Sequence, residues 1–466
     1  MSKTISAQSR KHIKVFERNI DILGGPIVKS TVSFAIPIML SAMLANLYNA
    51  ADIAVVGNLA DKNAVAAVGA TSTIIGLLVN IFISIASGYG VILANSIGQR
   101  DDLRISRVIK TGYTFSLFLG VLVAVLGAIF SKPMLHLTNC PEQIIDAAAL
   151  YMRIYMISVP ASMFYNFNAG ILRLKGDTVR PFVYGAISGA VNIILNFTLV
   201  ILTGEAVVSV AVATVVSCYI SAFLLIMRLI KLEGAFKLNP LRLEINGDVL
   251  RKIIIYGVPA MISSATFAIT NIQVQSAINS FDAAGISGNT AAATIEGFVF
   301  AVTNSVSATV SAFIGQCIGA DKRERVMQIL KRSYLVWGIV GASVSILLFA
   351  FGKYLLGFLI PGEADAIAFG EIRIFYIAIG TTMHALINVN MGALQGFGKT
   401  LYQMIVNIIG VCGFRLFWML VIYPLSPTPN TLYMCYPISF SLILLVGFIM
   451  LFILTRKYKK GEKINI

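Results

Sequence analysis

The sequence predicts an all-α polytopic membrane protein, with twelve transmembrane helices in two pseudo-symmetric six-helix lobes. Three observations support this prediction: an apolar composition, twelve apolar runs and an internal repeat. Hydrophobic residues make up 57% of the 466 residues and charged residues only 12%, and the mean hydropathy is +0.84. Because a soluble domain carries roughly 25% charged residues, a surface this apolar is expected to face lipid.

Twelve apolar runs are long enough to cross a bilayer. A transmembrane helix needs about 20 apolar residues, and several runs are longer, which permits tilt or kinks. The predicted spans are residues 30–57, 64–97, 110–130, 146–172, 182–203, 207–230, 253–280, 288–318, 334–352, 367–395, 402–423 and 432–455.

The distribution of lysine and arginine predicts the orientation of these spans. With the N-terminus inside, the predicted cytoplasmic segments hold 30 of the 36 Lys and Arg residues, and the opposite side holds only Lys62, Lys132 and Lys353. An excess of Lys and Arg marks the cytoplasmic loops of membrane proteins. Both termini are therefore predicted to be cytoplasmic. The predicted location of the protein is the lipid bilayer of a prokaryotic plasma membrane.

The charge pattern and the cysteines argue against several other classes. The net charge of +15 comes from short basic clusters between apolar runs, which is typical of membrane-flanking charge, so no nucleic-acid partner is predicted. All cysteines except Cys140 lie in apolar runs without CxxC or Cys/His spacing, which indicates neither a disulfide framework nor a metal site. The polar N-terminal tail has no apolar h-region and is not predicted to be a cleaved signal peptide.

Sequence signatures of enzymes are missing. The sequence contains no HExxH, no GxSxG in a suitable setting and no Walker-type GxxxxGK[ST]. The GKT at 398–400 lacks the earlier glycine of that motif and follows a membrane span rather than a strand. We predict a protein that is not an enzyme, has no cofactor and takes its energy from an ion gradient.

The second half of the chain repeats the first at a nearly constant offset. Pro37 in AIPIML matches Pro259 in GVPAMI, and Arg153 in YMRIYMI matches Arg373 in EIRIFYI. Three further matches keep the same register: Asn49 with Asn271, SIGQRDD at 96–102 with CIGADKR at 317–323, and LRLKGDT at 172–178 with LQGFGKT at 394–400. Several matches in one register indicate a duplication.

Six helices per half give the two halves the same orientation, related by an axis along the membrane normal. A path between two such bundles suits alternating access, and a monomer fits a self-contained pair of lobes. The predicted divisions are a cytoplasmic tail at 1–23, a first lobe at 24–235, a cytoplasmic linker at 236–252, a second lobe at 253–455 and a cytoplasmic tail at 456–466.

Asp52 is the clearest polar residue in an apolar setting, deep in span one. A charged side chain at the bilayer centre costs roughly 2.5–3.5 kcal/mol on insertion scales, so its presence needs a reason. Tyr48 lies on the same helical face, with Asn49 next to it, and Pro37 is expected to kink the helix. Such a carboxylate suits a proton or cation site; the alternative is a structural hydrogen bond to a neighbouring helix.

Other polar residues of the first half extend this predicted ion-coupling site. Asn192 and Asn196 lie four residues apart on span five, and Thr214 lies on span six. Asn166 and Asn168 on span four are candidates for a polar cavity. Taken singly, each of these residues more often forms a structural hydrogen bond between helices, worth about 0.6 kcal/mol.

The second half offers its own candidates for the cavity, and each has a structural alternative. Glu296 has either a functional role in the cavity or a structural role in an ion pair with Arg415. His384 titrates near neutrality if hydrated, but a lone membrane histidine more often donates a hydrogen bond between helices. Arg153 and Arg373 are interpreted as snorkelling or paired. The remaining candidates are Gln273 and Asn388.

These residues resemble a known family. The motifs are P…LYNAAD…VGNLA…AAVGA in span one and the segment after it, GQ at the end of span two, LRLKGDT after span four and GQCIGADKRE after span eight. In order and spacing they resemble the multidrug and toxic compound extrusion (MATE) transporters, from about Gly24 to Thr455. Asp52, with Tyr48 and Pro37 at the expected spacing, resembles the DinF-type branch, in which an acidic residue of the first helix belongs to the ion-coupling site.

The resemblance implies a MATE-type fold with a V-shaped central cavity. It implies export of small cationic or amphipathic compounds against an inward flow of protons or sodium. The family pattern Asn-x-x-x-Asp on span five is Asn192 and Asn196 here, so the second carboxylate is missing. The NorM-type sodium pattern in the seventh and tenth helices is not met either, because Gln273 and His384 or Asn388 stand there, and this favours protons.

Two other functions are considered. A flippase for lipid-linked precursors shares the general plan, but it is expected to carry several Arg or Lys residues in its cavity to hold pyrophosphate, and only Arg415 is central here. An intramembrane enzyme would need a paired catalytic set, which the sequence lacks.

Overall fold

A computed structural model describes residues 20–59, 62–138 and 140–462, and this part of the chain is helical without a β-strand. Within these residues, eleven helices are long and apolar enough to cross a membrane, and a bent pair counted as one span makes twelve. The spans are α1 (Ile27–Leu59), α2 (Lys62–Ile83 and Ile85–Gln99), α3 (Asp102–Ile129), α4 (Glu142–Met156 and Val159–Leu174), α5 (Val179–Thr203), α6 (Ala206–Ile230), α7 (Gly247–Ile278), α8 (Ala283–Gly319), α9 (Arg323–Leu359), α10 (Ala364–Gly396), α11 (Thr400–Leu425) and α12 (Pro429–Lys459).

The prediction of twelve spans is confirmed, although many helices extend beyond their apolar runs. The largest extension is in α9, which covers Arg323–Leu359 where the apolar run covers 334–352. Polar caps set the true starts: the side chain of Asn246 accepts from the Val249 amide at 3.1 Å, and that of Asp282 from the Gly285 amide at 2.8 Å. Hydropathy marks the part of a helix that crosses lipid, whereas the cap marks its first turn.

The fourth span is sharply bent. Its two segments meet at Ile157 and Ser158 with a bend of 42°. Pro160 stands in the first turn of the second segment, where a residue without a backbone N–H donor is tolerated. Its counterpart α10 is continuous from Ala364 to Gly396, so the two halves differ here.

Exposed apolar side chains form stripes along the outer helices. On α3 the stripe contains Phe118, Leu122, Val125 and Ile129, which are between 50% and 62% exposed. Their spacing of three and four residues places them on one helical face. Such a stripe is too apolar for water and fits a lipid-facing surface.

The internal repeat is visible in the backbone. Gly176 and Gly398, which stand at matching places in the paired loops, both have positive φ, at 96° and 68°. Arg100 and Asp321 form a second matching pair, with φ of 56° and 50°, although only a few per cent of residues other than glycine adopt this conformation. Equivalent turns therefore end α2, α4, α8 and α10.

The two lobes are joined at one side of the membrane, on which α2, α8 and α10 end. We call it the basic side, because the predicted basic loops lie there. A Cβ on Gly98 of α2 would stand 2.1 Å from the carbonyl oxygen of Gln316 on α8, and one on Gly319 would stand 2.2 Å from that of Asn95. Only glycine permits backbones to approach this closely.

The segment before α1 strengthens this junction. The Arg325 guanidinium donates from Nε and Nη2 to the carbonyl of Ile22 at 3.1 and 3.0 Å, and from Nη2 to that of Gly25 at 2.6 Å. Gln316 donates across the lobes to the carbonyl of Leu174 at 2.6 Å. The basic side is therefore held shut by both packing and hydrogen bonds.

Replacing Gly98 by alanine is expected to lower the melting temperature of the purified protein, because the new methyl group overlaps the α8 backbone and overpacking costs about 1–3 kcal/mol. Gly90→Ala on the same helix is the matched control, since a Cβ there meets nothing within 4 Å; its melting temperature should stay equal or rise. Equal melting temperatures for the two variants would contradict a tight junction.

Candidate functional site

A cavity of about 1130 Å³ lies between α2 of the first lobe and five helices of the second lobe, α7, α8, α10, α11 and α12. Its lining residues on α2 run from Gly76 to Ser87 and so precede the junction at Gly98. Its volume is slightly above the range of about 300–1,000 Å³ that is typical of pockets for drug-sized molecules.

The cavity wall combines apolar surface with amide and hydroxyl side chains. Among the described residues that line it, none is Asp, Glu, Lys or Arg. Three phenylalanines, Phe267, Phe300 and Phe440, provide aromatic surface. The polar lining residues are Asn80, Ser84, Ser87, Ser263, Ser264, Asn271, Gln275, Ser276, Asn279, Asn304, Ser307, His384, Asn388, Gln395, Gln403 and Asn407.

Helical periodicity could have found most of these residues. Asn271, Gln275 and Asn279 of α7 follow one another at intervals of four and line the cavity, and Gln275 donates to Asn279 at 2.9 Å. Gln273, a predicted cavity residue, is not in this wall, because a residue two positions from Gln275 points to nearly the opposite face of a helix.

His384 and Asn388 are the two predicted cavity residues that line this cavity. The imidazole of His384 stacks between Phe300 and Phe440, with ring centroids 4.4 and 5.3 Å away. Its Nδ1 lies 2.8 Å from the Thr303 hydroxyl. Asn388 donates to the His384 carbonyl at 3.0 Å.

Arg415 lies behind the cavity wall and is fully buried, with 0% of its surface exposed. Its Nε donates to the Ser439 hydroxyl at 3.1 Å, and its two Nη atoms have no hydrogen-bond partner among the described residues. The guanidinium lies over the rings of Tyr436, Phe440 and Phe267, at 4.3, 5.4 and 6.0 Å from their centroids.

Glu296 pairs with Arg373 and not with Arg415. The Arg373 Nε donates to the Glu296 carboxylate at 3.0 Å and its Nη2 forms an ion pair with the same oxygen. Asn289 accepts from Arg373 and from the Tyr433 hydroxyl. The alternative of a Glu296–Arg415 pair is therefore wrong, and Glu296 belongs to a buried ion-pair network that is not part of the cavity wall.

In the first lobe, the predicted ion-coupling residues form a chain of hydrogen bonds. Asn196 donates to the Asp52 carboxylate and lies 3.3 Å from Asn192 Oδ1. Asn192 donates to the Thr214 hydroxyl at 3.4 Å. The structure thus brings together four residues from α1, α5 and α6.

Tyr48 packs beside this chain. Its hydroxyl donates to the Ala186 carbonyl of α5 at 3.2 Å, and a Cβ on Gly189 would overlap the Tyr48 ring at 1.8 Å. Neighbouring Asn46 donates to the Gly297 carbonyl of α8 at 3.0 Å. The side chain of Asn49, another predicted member of the site, lies outside the described residues.

Three further predicted cavity residues lie away from the wall described above. Asn166 donates to Ser162 O and Asn168 to Phe164 O, each at 2.9 Å, so both amides turn back onto their own helix. Pro37 is buried inside a continuous α1, where its carbonyl accepts from Ser41 at 2.7 Å. These contacts fit a structural role.

Replacing Glu296 by glutamine is expected to destabilise the protein by roughly 3 kcal/mol, because Arg373 is left as an uncompensated buried charge. Glu371→Gln, which disrupts a more exposed pair with Lys353, is the control and should change stability by less than about 1 kcal/mol. Thermal unfolding in detergent measures both. Arg373→Gln added to Glu296→Gln should recover stability. A double variant that is less stable than Glu296→Gln alone would contradict this account.

Comparison with known proteins agrees with this architecture. The MatE family matches residues 37–198 and 259–420, so the two matches begin at the paired prolines Pro37 and Pro259. The chain is similar to the probable multidrug resistance proteins YoeA and YpnP of Bacillus subtilis (strain 168), at 27% and 25% identity, over 83% and 86% of this chain and 84% and 88% of theirs.

A solved structure confirms the fold class. A crystal structure of MATE in complex with MaL6 superimposes with a TM-score of 0.88 at 19% identity, over 96% of this chain and 100% of that chain. The family match and the named relatives confirm the predicted resemblance at the level of the family, and they identify the chain as a multi-pass membrane transporter rather than an enzyme. Two family matches in register, one in each lobe, show that this chain belongs to the MatE family.

Proposed function

We propose that the protein is a secondary active antiporter that exports amphipathic, drug-like molecules in exchange for protons or sodium. The observation that carries the proposal is the cavity between the lobes, which combines aromatic surface with amide and hydroxyl groups. Amphiphiles bind to such mixed linings through apolar contact and a few polar bonds. The names of YoeA and YpnP, both probable multidrug resistance proteins, support drug-like substrates.

Asp52 is the proposed ion-binding residue. It is the one carboxylate in the hydrogen-bonded chain with Asn196, Asn192 and Thr214. Because asparagine and threonine do not titrate in the physiological range, a proton or sodium ion that enters this site is expected to bind to Asp52.

Helix α1 connects the proposed ion site with the second lobe. Asp52 and Tyr48 face α5, whereas Asn46 donates to the carbonyl of Gly297 on α8. Neutralising Asp52 weakens its bond with Asn196, since hydrogen bonds to a charged acceptor are roughly twice as strong as neutral ones. A shift of α1 against α5 would then alter its contact with α8, which lines the cavity.

The proposed cycle alternates between two arrangements of the lobes. With both termini on the cytoplasmic side, as predicted, the junction at Gly98 and Gly319 closes the cytoplasmic entrance. Proton binding to Asp52 in this outward-facing arrangement releases the substrate, and loss of the proton to the cytoplasm resets the transporter. Each ligand shifts the equilibrium only by its difference in affinity for the two arrangements.

The flippase alternative is not favoured. A pyrophosphate group needs several charge-assisted bonds, and the described residues of the cavity wall include no Lys or Arg.

Asp52→Asn is expected to abolish ion-driven efflux with little change in melting temperature, because it keeps the side-chain shape and removes the ion-binding charge. Efflux of a fluorescent amphiphile from vesicles under separately imposed proton and sodium gradients measures this and identifies the coupling ion. Asp146→Asn, at a carboxylate that is 82% exposed, is the control and should transport normally. Unchanged ion-driven efflux by Asp52→Asn would refute the assignment.

Ala268→Trp is expected to weaken substrate binding at least tenfold, because Ala268 lines the cavity and an indole there occupies the space of a ligand. The neighbouring Ile269 is 52% exposed and is not part of the cavity wall. Ile269→Trp therefore adds the same side chain to the same helix turn and should bind substrate normally. Equal affinities of the two variants would show that substrates bind elsewhere.

A further inference from the structure

We infer that the cavity selects amphiphiles that carry no positive charge, that it favours a single negative charge, and that Arg415 is the specificity-determining residue. This inference deepens the proposed function and rests on it: it names the charge class of the molecules that the same cavity accepts.

The first step is the charge of the wall itself. None of the described residues that line it is Asp, Glu, Lys or Arg, so a cationic ligand finds no carboxylate there. The asparagines, glutamines and serines offer a cation ion–dipole contacts but no opposite charge. A cation that leaves water for this cavity therefore loses hydration without gaining an ion pair.

The second step concerns His384, the titratable residue in the wall. Asn388 directs its amide nitrogen to the His384 carbonyl at 3.0 Å, and the same nitrogen lies 3.4 Å from Nε2. An N–H group at that position makes Nε2 an acceptor, so Nδ1 carries the proton and donates to Thr303 at 2.8 Å. A neutral His384 with its proton on Nδ1 fits both contacts.

The third step is the unbalanced cation behind the wall. Arg415 uses one of the N–H donors of its guanidinium, and its two Nη atoms are buried without partners among the described residues. Phe267 and Phe440 lie against its guanidinium and also line the cavity. Arg415 thus shares two aromatic neighbours with a ligand in the cavity.

The neighbouring buried charges do not compensate Arg415. Glu296 is already paired with Arg373, so these three residues together carry a charge of +1. Unit charges within about 10 Å at an effective dielectric constant of about 20 change an affinity roughly tenfold. The field of Arg415 therefore opposes a cation in the cavity and favours an anion by about that factor, while Phe267, Phe300 and Phe440 accept the apolar part of either molecule.

The test compares three dansyl amphiphiles with the same alkyl chain, which ends in a sulfonate, a hydroxyl or a trimethylammonium group. Dansyl fluorescence gives the affinity of each for the purified full-length protein in a nonionic detergent. Sulfonate and hydroxyl compounds are expected to bind at least tenfold more tightly than the trimethylammonium compound. Ala268→Trp should weaken binding of the sulfonate and hydroxyl compounds. Such a loss would assign the binding of these compounds to the cavity.

Variants of Arg415 test its role. Arg415→Gln should reduce the preference to within about threefold, and Arg415→Lys should keep it because the charge remains. The double variant Glu296→Gln with Arg373→Gln removes a neutral pair from the same lobe and should also keep the preference. If Arg415→Gln does not fold, Arg415→Met is the neutral variant, and it should likewise reduce the preference to within about threefold.

Tighter or equal binding of the trimethylammonium compound by the unmodified protein would overturn the inference, as would binding of none of the three. An unchanged preference in a folded Arg415→Gln would remove Arg415 from the assignment. Failure of the proposed function has a different signature: the affinities follow the expected order, but no compound crosses a vesicle membrane in response to a proton or sodium gradient.

Discussion

The cost of an unpaired charge in a low-dielectric interior constrains this molecule at every level. On the outside it leaves apolar stripes such as that of α3, with most basic residues in the loops, the tails and the ends of the helices. Inside, it admits very few charges, and each is held differently. Arg373 and Glu296 neutralise each other, Asp52 is bound by Asn196, and Arg415 is enclosed by aromatic rings. Asp52 and Arg415, which have no ionic partner among the described residues, are the charges to which we assign roles in transport.

The duplication gives the two lobes the same scaffold but different chemistry. Equivalent turns with positive φ end the helices of both halves, which preserves the approach of α2 to α8. Between these fixed points the halves have diverged: the first lobe contains a carboxylate and asparagines, and the second contains a cation and the greater part of the cavity wall. Because α1 contacts both α5 and α8, ion binding in one lobe has a direct physical route to the cavity in the other.

The sequence predicted the fold more completely than it predicted the candidate site. Hydropathy predicted twelve spans, and the structure has them, with ends that caps such as Asn246 extend beyond the apolar run. Of the eight predicted cavity residues, His384 and Asn388 line the cavity described here, while Asn166 and Asn168 turn back onto their own helix. The role of Asp52 in ion coupling, the division into domains and the monomeric state stay predictions.

The sequence by itself determined the membrane environment, the twelve spans, the duplication and the residues whose charge has to be explained. These properties depend on composition and on spacing along one helix, which can be read without knowing any neighbour. Only the tertiary structure decided which charges meet. Glu296 is distant along the chain from both Arg373 and Arg415, yet it bonds to the first and leaves the second unpaired, because the packing of α8 against α10 fixes the partner. The character of the cavity, neutral in its wall and bordered by one buried cation, follows from that packing.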